Sequence, residues 1–323
     1  MTVVEQSVTS LQNNNVLERI EYAGRVCYNS IDKIKKGETA QPFVKGLVTS
    51  GHGTPLEAAR VIIRDTALLT YLSRKASPCA VTRCREVLRK IRQMKIARVY
   101  PVDPDTISVT VRDYLALGFP LEFLYNPDHC LMNPYFATVI IVTDRGIANE
   151  LVRHRVLHYD DNGYPDAFSD PVGGEVDDMS MVQASTRYIN YCKKPFSVVR
   201  PYPAPWASDE NSQAYKSWYT SCEQSFTAYK DLLALGVQQQ FARNVLPLST
   251  VTTVVMSGTN EQWESFLRLR LDKAAHPQMI VLADMILHST AVRSALGSSL
   301  YDEMCEFELE GIKKVNEIKG GSK

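Results

Sequence analysis

What the chain lacks narrows the field before any motif is read. It carries no excess charge: over 323 residues, 36 Lys and Arg balance 36 Asp and Glu, a formal net charge of zero. That argues against a general nucleic-acid coat, and no nucleic-acid partner is expected, although a local basic cleft stays open. It has no paired-cysteine pattern. The seven cysteines, at 27, 79, 84, 130, 192, 222 and 305, are odd in number, scattered, and form no C-x-x-C. They read as reduced thiols of a cytosolic protein, not as a disulfide frame or zinc site. No signal-peptide core opens the chain, and no apolar run approaches membrane-spanning length. The expectation is a soluble cytoplasmic protein without a membrane partner. At 45% apolar, the composition suffices for a real core in one large domain or two.

What is present is a mixture of helix and strand patterns, α/β (α+β) in class, with a mixed sheet flanked by helices. Val16, Leu17, Ile20, Ala23, Val26 and Cys27 predict an amphipathic helix over 14–29. A charged connection (30–41) leads to a short helix through Phe43, Val44, Leu47 and Val48. Thr54 suits an N-cap, with Pro55 in the first helical position. Val61 to Ile63 reads as a strand and Leu68 to Lys75 as a helix. Seven basic residues face a single Glu86 over 77–98. They predict a packed helix with a cationic exterior, either solvated or intersubunit, or else a docking strip for an acidic ligand tail.

A short strand is expected at Ile107 to Val111. Ala137 to Val142 is the strongest strand signal, β-branched and bounded by Asp144. Ile147, Leu151 and Val152 then predict a helix that delivers Arg153. Residues 158–179, acidic and rich in Gly and Pro, form a loop, and 194–208 an extended connector. Helices over 209–235 and 237–245 stop at Leu246-Pro247. A strand at Thr250 to Ser257 and helices at 261–272, 277–296 and 300–318 complete the chain.

Two fragments carry candidate chemistry. Arg153-His154-Arg155 ends an apolar run, and Ser180 to Tyr188 (S-M-V-Q-A-S-T-R-Y) holds Ser185, Thr186 and Arg187 together. Guanidinium groups fork onto phosphate or carbonyl oxygens and stack on flat rings, so both fragments suit a phosphorylated, flat-ringed ligand. A solvated basic helix end is the other reading. His154 and His158 are spaced i, i+4 with Asp160 and Asp161 following, but nothing nearby completes a shell, so no metal is expected.

Read together, the fragments line up. R-H-R followed by S-x-x-Q-x-S-x-R-Y resembles the signature of flavin-dependent thymidylate synthases. His52-Gly53-Thr54-Pro55-Leu56-Glu57 is similar to that family's upstream H-x-[ST]-P-x-E element. Ala242 to Pro247 (A-R-N-V-L-P) matches its A-R-x-V-L-P. Phe266 to Arg270 (F-L-R-L-R) looks like the helix bearing its uracil-binding arginine. The four occur in the family's order. Two additions interrupt it: 95 residues lie between Glu57 and Arg153, and 24 between Arg155 and Ser180. The first is read as a subdomain at about 60–136 inserted into a single catalytic domain spanning 1–323, the second as the 158–179 loop.

The resemblance implies reductive C5 methylation of dUMP to dTMP by a homotetramer with FAD as cofactor. Methylenetetrahydrofolate and NADPH would be the co-substrates. It places Thr54, Arg153, His154, Arg155 and Gln183 on FAD, with Thr259, Asn260 and Ser265 at the flavin nucleotide. Arg153, Gln183, Ala184, Ser185, Thr186 and Arg187 would meet the substrate, with Arg243 reaching its phosphate from another subunit. Arg270 would be catalytic, gripping the uracil edge and favouring its N3-deprotonated form. Thr259, Glu261 and Ser265 depart from the usual residues at their positions, and Glu150 replaces a Gln near the nucleotide. Glu150 has three openings: pairing with Arg153 or Arg187, protonation, or accepting from a ligand hydroxyl. The last would suit the ribose of UMP, so methylation of another pyrimidine nucleotide is the nearest alternative. A non-catalytic nucleotide- or RNA-binding protein is the alternative of another class.

Overall fold

The computed structural model describes residues 1–12, 15–64, 98–99, 106–116, 119–125, 131–153, 179–193 and 195–320. In chain order come β1 (Thr2–Val4), β2 (Ser7–Ser10), α1 (Val16–Cys27), α2 (Ala40–Thr49) and a 3₁₀ turn (Thr54–Ala58). β3 (Arg60–Arg64), β4 (Arg98–Val99), β5 (Thr106–Thr110), α3 (Val111–Ala116) and β6 (Leu131–Met132) follow. Next are β7 (Phe136–Asp144), α4 (Arg145–Leu151), β8 (Ser180–Gln183), β9 (Ser197–Val199), α5 (Pro205–Ser208), α6 (Gln213–Ala234) and α7 (Gln239–Ala242). The chain continues through β10 (Val251–Thr259), α8 (Asn260–Arg270), α9 (Pro277–Leu287) and α10 (Thr290–Lys319).

The protein is thus a mixture of helix and sheet. One four-stranded sheet has the order β2-β7-β10-β8, a second the order β4-β5-β3-β6, and β1 pairs with β9. The alternation of patterns points to a mixed sheet, and here the structure differs. Both four-stranded sheets are antiparallel throughout, and among the described residues only β1–β9 is parallel. β7 and β8 run in the same direction, but β10 lies between them, so neither meets a parallel neighbour.

The first sheet is covered on both faces, which is why β7 reads as a nearly continuous apolar run and not as an alternation. Ala137, Val139 and Ile141 pack with Trp263, Phe266, Leu282 and Ile286 of α8 and α9. On the opposite face Val182 and Val255 meet Ala23 and Val26 of α1. The second sheet contributes Val61 and Val109 to a separate core with Leu17, Ile20, Val44 and Leu47 of α1 and α2. Gly311 permits the close approach of α10 to the end of α8: a Cβ there would lie 2.0 Å from the Leu271 carbonyl oxygen.

Several boundaries move for physical reasons. Asn15 caps α1 by accepting from the Leu17 and Glu18 amides. Thr54 makes no capping bond and lies inside the 3₁₀ turn that follows Gly53. Val111 opens α3, because Thr110 caps the Asp113 amide and ends β5. Arg98 pairs with Ser108 in a strand, not a helix. The 194–208 connector contains β9 and α5. The expected 277–296 helix stops at Leu287, and Gly297, at φ +73°, bends the next one. The Leu68 to Lys75 helix, most of the basic 77–98 stretch and the loop at 158–178 lie outside the described residues. No single described helix is long and apolar enough to cross a membrane.

Candidate active site at one end of the antiparallel sheet

Strand register gathers the motif residues. Asp144 at the end of β7 pairs with Val251 at the start of β10, and Gln183 at the end of β8 pairs with Val254. The three strands therefore release α4, the Ala184–Tyr188 turn and the Arg243–Thr250 stretch from one end of the sheet. The Ala184 amide donates to the Thr253 carbonyl at 2.8 Å, and the Ser185 amide to the Cys27 carbonyl at 3.2 Å. Gln183 Nε2 donates to Thr252 Oγ1 at 3.2 Å. Tyr28 joins two motifs: its hydroxyl meets His52 Nδ1, and its ring lies 5.7 Å from that of Tyr188.

The turn after β8 carries a set of hydroxyl and guanidinium groups of the kind that suits an anion. Thr186 is buried, and its Oγ1 accepts from Arg243 Nη1 at 2.6 Å. Arg243 is also held through Nε to the Gln240 carbonyl at 3.1 Å. Gln239 Nε2 grips the Arg187 carbonyl at 2.6 Å, and the Arg187 amide donates to Ser185 Oγ at 3.4 Å. That leaves the exposed Arg187 guanidinium beside the Tyr188 ring, 5.9 Å from its centroid. The resemblance brings Arg243 from another subunit, yet within one chain it is already bonded to Thr186. The reason is local, since α7 and the turn after it pack beside the Ser185–Tyr188 turn.

Arg145 belongs to the same neighbourhood and escapes a motif search. Burial, then the charge of Arg243, lowers its pKa from the usual arginine value, with Tyr191 opposing. One signal for it was available in sequence. A cation in the first turn of a helix opposes the positive end of the helix dipole.

Arg270, at the end of α8, donates through Nη2 to the backbone carbonyl of Glu150 at 3.0 Å. Its Nε is buried without a partner among the described residues. Burial lowers its pKa, and the Glu150 charge works against that. Glu150 therefore serves Arg270. Ion pairs to Arg153 or Arg187 do not form among the described residues.

The cofactor positions implied by the resemblance separate into groups. Thr54 presents an exposed hydroxyl on a 3₁₀ turn packed against β8. Arg153 stands exposed just beyond the end of α4, while His154 and Arg155 lie outside the described residues. Asn260 and Ser265 are half-buried on α8. A hydroxyl, an exposed guanidinium and the Gln183 carboxamide fit a phosphate-bearing, flat-ringed group such as FAD. Thr259 does not fit: it is buried, and its Oγ1 accepts from the Gln262 amide in a capping box. It caps α8 and has no free face for a ligand.

Away from this site, Asp284, His288 and Glu308 bring their ligand atoms within 4.8 Å of one another. His288 Nε2 lies 3.2 Å from Glu308 and 3.5 Å from Asp284, and Nδ1 meets Tyr301 Oη at 2.8 Å. Each member has a partner of suitable charge or hydrogen-bonding type.

Known proteins resemble the chain over the stretch that carries most of these residues. Residues 131–292 match the family described as "Thymidylate synthase complementing protein". Over 149 residues the chain is 29% identical to "Probable flavin-dependent thymidylate synthase" of Paramecium bursaria Chlorella virus 1, covering 46% of this chain and 63% of that one. Over 169 residues it is 27% identical to "Flavin-dependent thymidylate synthase" of Synechocystis sp., covering 49% and 70%. A protein of the same name from Thermosipho melanesiensis is 31% identical over 104 residues, 32% of this chain and 41% of that one. The matches thus span less than two thirds of the viral and Thermosipho relatives. The family match takes in half of the chain and runs through Arg145, Glu150, Thr186, Arg243 and Arg270, and by that match the chain belongs to the thymidylate synthase complementing protein family.

Proposed function

We propose that the chain is an FAD-dependent methyltransferase that converts dUMP to dTMP, with methylenetetrahydrofolate as carbon donor and NADPH as reductant. The observation that carries this reading is the Arg243–Thr186 bond. It closes a gap of 57 residues and sets two family motifs side by side at the sheet end where a third, on α8, returns Arg270. When bound, reduced flavin would supply the hydride. The chain's own residues do the rest. Ala184, Ser185, Thr186, Arg187 and Arg243 bind the nucleotide phosphate. Arg270, held by the Glu150 carbonyl, directs its unpaired Nε–H at an acceptor such as the uracil edge. A fixed cation there favours the deprotonated ring. Thr54, Arg153, His154, Arg155, Gln183, Asn260 and Ser265 are the proposed FAD contacts. A cytoplasmic homotetramer, the fold of the flavin-dependent synthases, and an inserted subdomain at 60–136 built on the second sheet complete the reading.

The test is direct. The purified protein is examined for flavin absorbance, then incubated separately with dUMP, UMP and dCMP plus methylenetetrahydrofolate, FAD and NADPH, and the products are identified by mass. dTMP from dUMP is expected. A methylated product from UMP alone moves the assignment to that nucleotide, and a colourless, inactive protein that binds RNA refutes the enzyme.

A further inference from the structure

Arg145 is a cation with no hydrogen-bond or ion-pair partner for its side chain among the described residues. Its amide is pinned by the carbonyls of Leu248 at 2.9 Å and Thr250 at 3.2 Å, which fixes where its side chain starts. Its Nη1 is buried and has no partner among the described residues. Arg243 leads into the same Leu248–Thr250 segment and is bonded to the Thr186 hydroxyl. The two guanidiniums are close enough for one to depress the other's pKa, Tyr191 is the opposing group, and no carboxylate enters that balance. Two neighbouring like charges, one with a buried N–H that has no partner among the described residues, are unfavourable in the free protein. An arriving anion reverses the sign of every part of this arrangement. A phosphomonoester dianion suits it best, because it offers two negative charges and three terminal oxygens to two guanidinium forks and a hydroxyl.

We propose that Arg145 is a phosphate-binding residue, and that Arg145, Arg243 and Thr186 form one cradle selecting a 5′-monophosphate over the free nucleoside. Only the identity of the nucleoside rests on the function proposed above; the cradle rests on the arginines.

Calorimetric binding of dUMP, deoxyuridine and inorganic phosphate to the full-length protein, to Arg145→Met and to Arg145→Lys tests this. The melting temperature of each is measured with and without phosphate. Arg145→Met should weaken dUMP about 10- to 100-fold, the size of one charge-assisted contact, and leave deoxyuridine unchanged. Lys should restore part of the loss. Without ligand, the Met variant should melt at or above the wild type, because an unpaired buried cation has gone, and phosphate should raise its melting point less. Wild-type affinity for dUMP in the Met variant overturns the proposal. So does an equal loss of dUMP and deoxyuridine with a lowered melting point, which marks a structural residue. Arg145-dependent binding of phosphate by a wild type that ignores dUMP keeps the cradle and refutes the thymidylate reading. A wild type that binds neither phosphate nor dUMP refutes the cradle.

Discussion

Arg19 and Arg60 are among the most deeply buried charges of the described residues, at 5% and 2% exposure, yet they differ in kind from Arg145 and Arg270. Arg19 reaches from α1 to Thr138 Oγ1 at 3.0 Å and the Phe136 carbonyl at 3.5 Å. Burial pushes its pKa down to about 10. Arg60 donates to the hydroxyl and carbonyl of Ser108 at 3.0 and 3.2 Å. Both fasten a helix or strand to a sheet. Arg145 and Arg270, only half-buried, each keep a buried N–H without a partner among the described residues. Burial of a guanidinium is therefore not the mark of function in this chain. What sets apart Arg145 and Arg270, the two arginines proposed to meet a ligand, is a donor left without a partner among the described residues.

Substitutions on either side of that contrast should behave differently. Arg270→Ala should have the largest effect, lowering kcat by about 10²- to 10³-fold, the usual result of removing one preorganised donor, with flavin retention nearly intact. Steady-state kinetics beside the flavin absorbance of the purified variant decides it, and a kcat close to wild type would place Arg270 with the structural arginines. Arg19→Met should act on stability. It strands the Thr138 and Phe136 acceptors, a loss of about 1–3 kcal/mol, read by denaturant unfolding; an unchanged midpoint would erase the distinction from the structural side. Arg187→Ala removes an exposed fork that binds ground and transition states alike. The nucleotide KM should rise about tenfold with kcat and FAD affinity held, whereas parallel loss of both ligands would mean the turn has collapsed.

The smallest effect concerns the Asp284–His288–Glu308 cluster, whose members bond one another. Burial first, then Asp284, pushes the Glu308 carboxyl up to about 8 from an ordinary value of 4.5. The folded protein therefore holds a proton that the unfolded chain releases. The resulting stability is complete below about pH 4.5 and is lost as pH rises through about 8. Asp284 and His288 on α9, with Tyr301 and Cys305 on α10, are the titratable groups around it. Glu308→Gln should flatten the fall in melting temperature between these limits relative to wild type. Parallel melting curves for the two proteins would show that Glu308 is ionised in the fold throughout.

Much of the architecture was legible in the chain itself. The period of α1, the β-branched run of β7 and the Thr250 to Ser257 strand all lie in local pattern, because each is long enough for a period to emerge. β1, β2, β8 and β9 were not legible, since three or four residues establish no alternation and their pairing is bought by distant strands. The motif residues were equally visible, from Thr54 through Arg187 to Arg270, because a motif is read from residue types and their order alone. Tertiary structure alone decided which of them still has a hand free. Thr259 looks like a ligand hydroxyl until the fold makes it the cap of α8. Arg243 bonds Thr186 of its own chain because the turn after α7 sets the two side by side. Arg145 shows in the sequence only as a cation in the first turn of a helix. The role proposed for it follows from the antiparallel register that brings the end of β7 beside the start of β10, a long-range pairing that leaves no trace in the residues flanking Arg145.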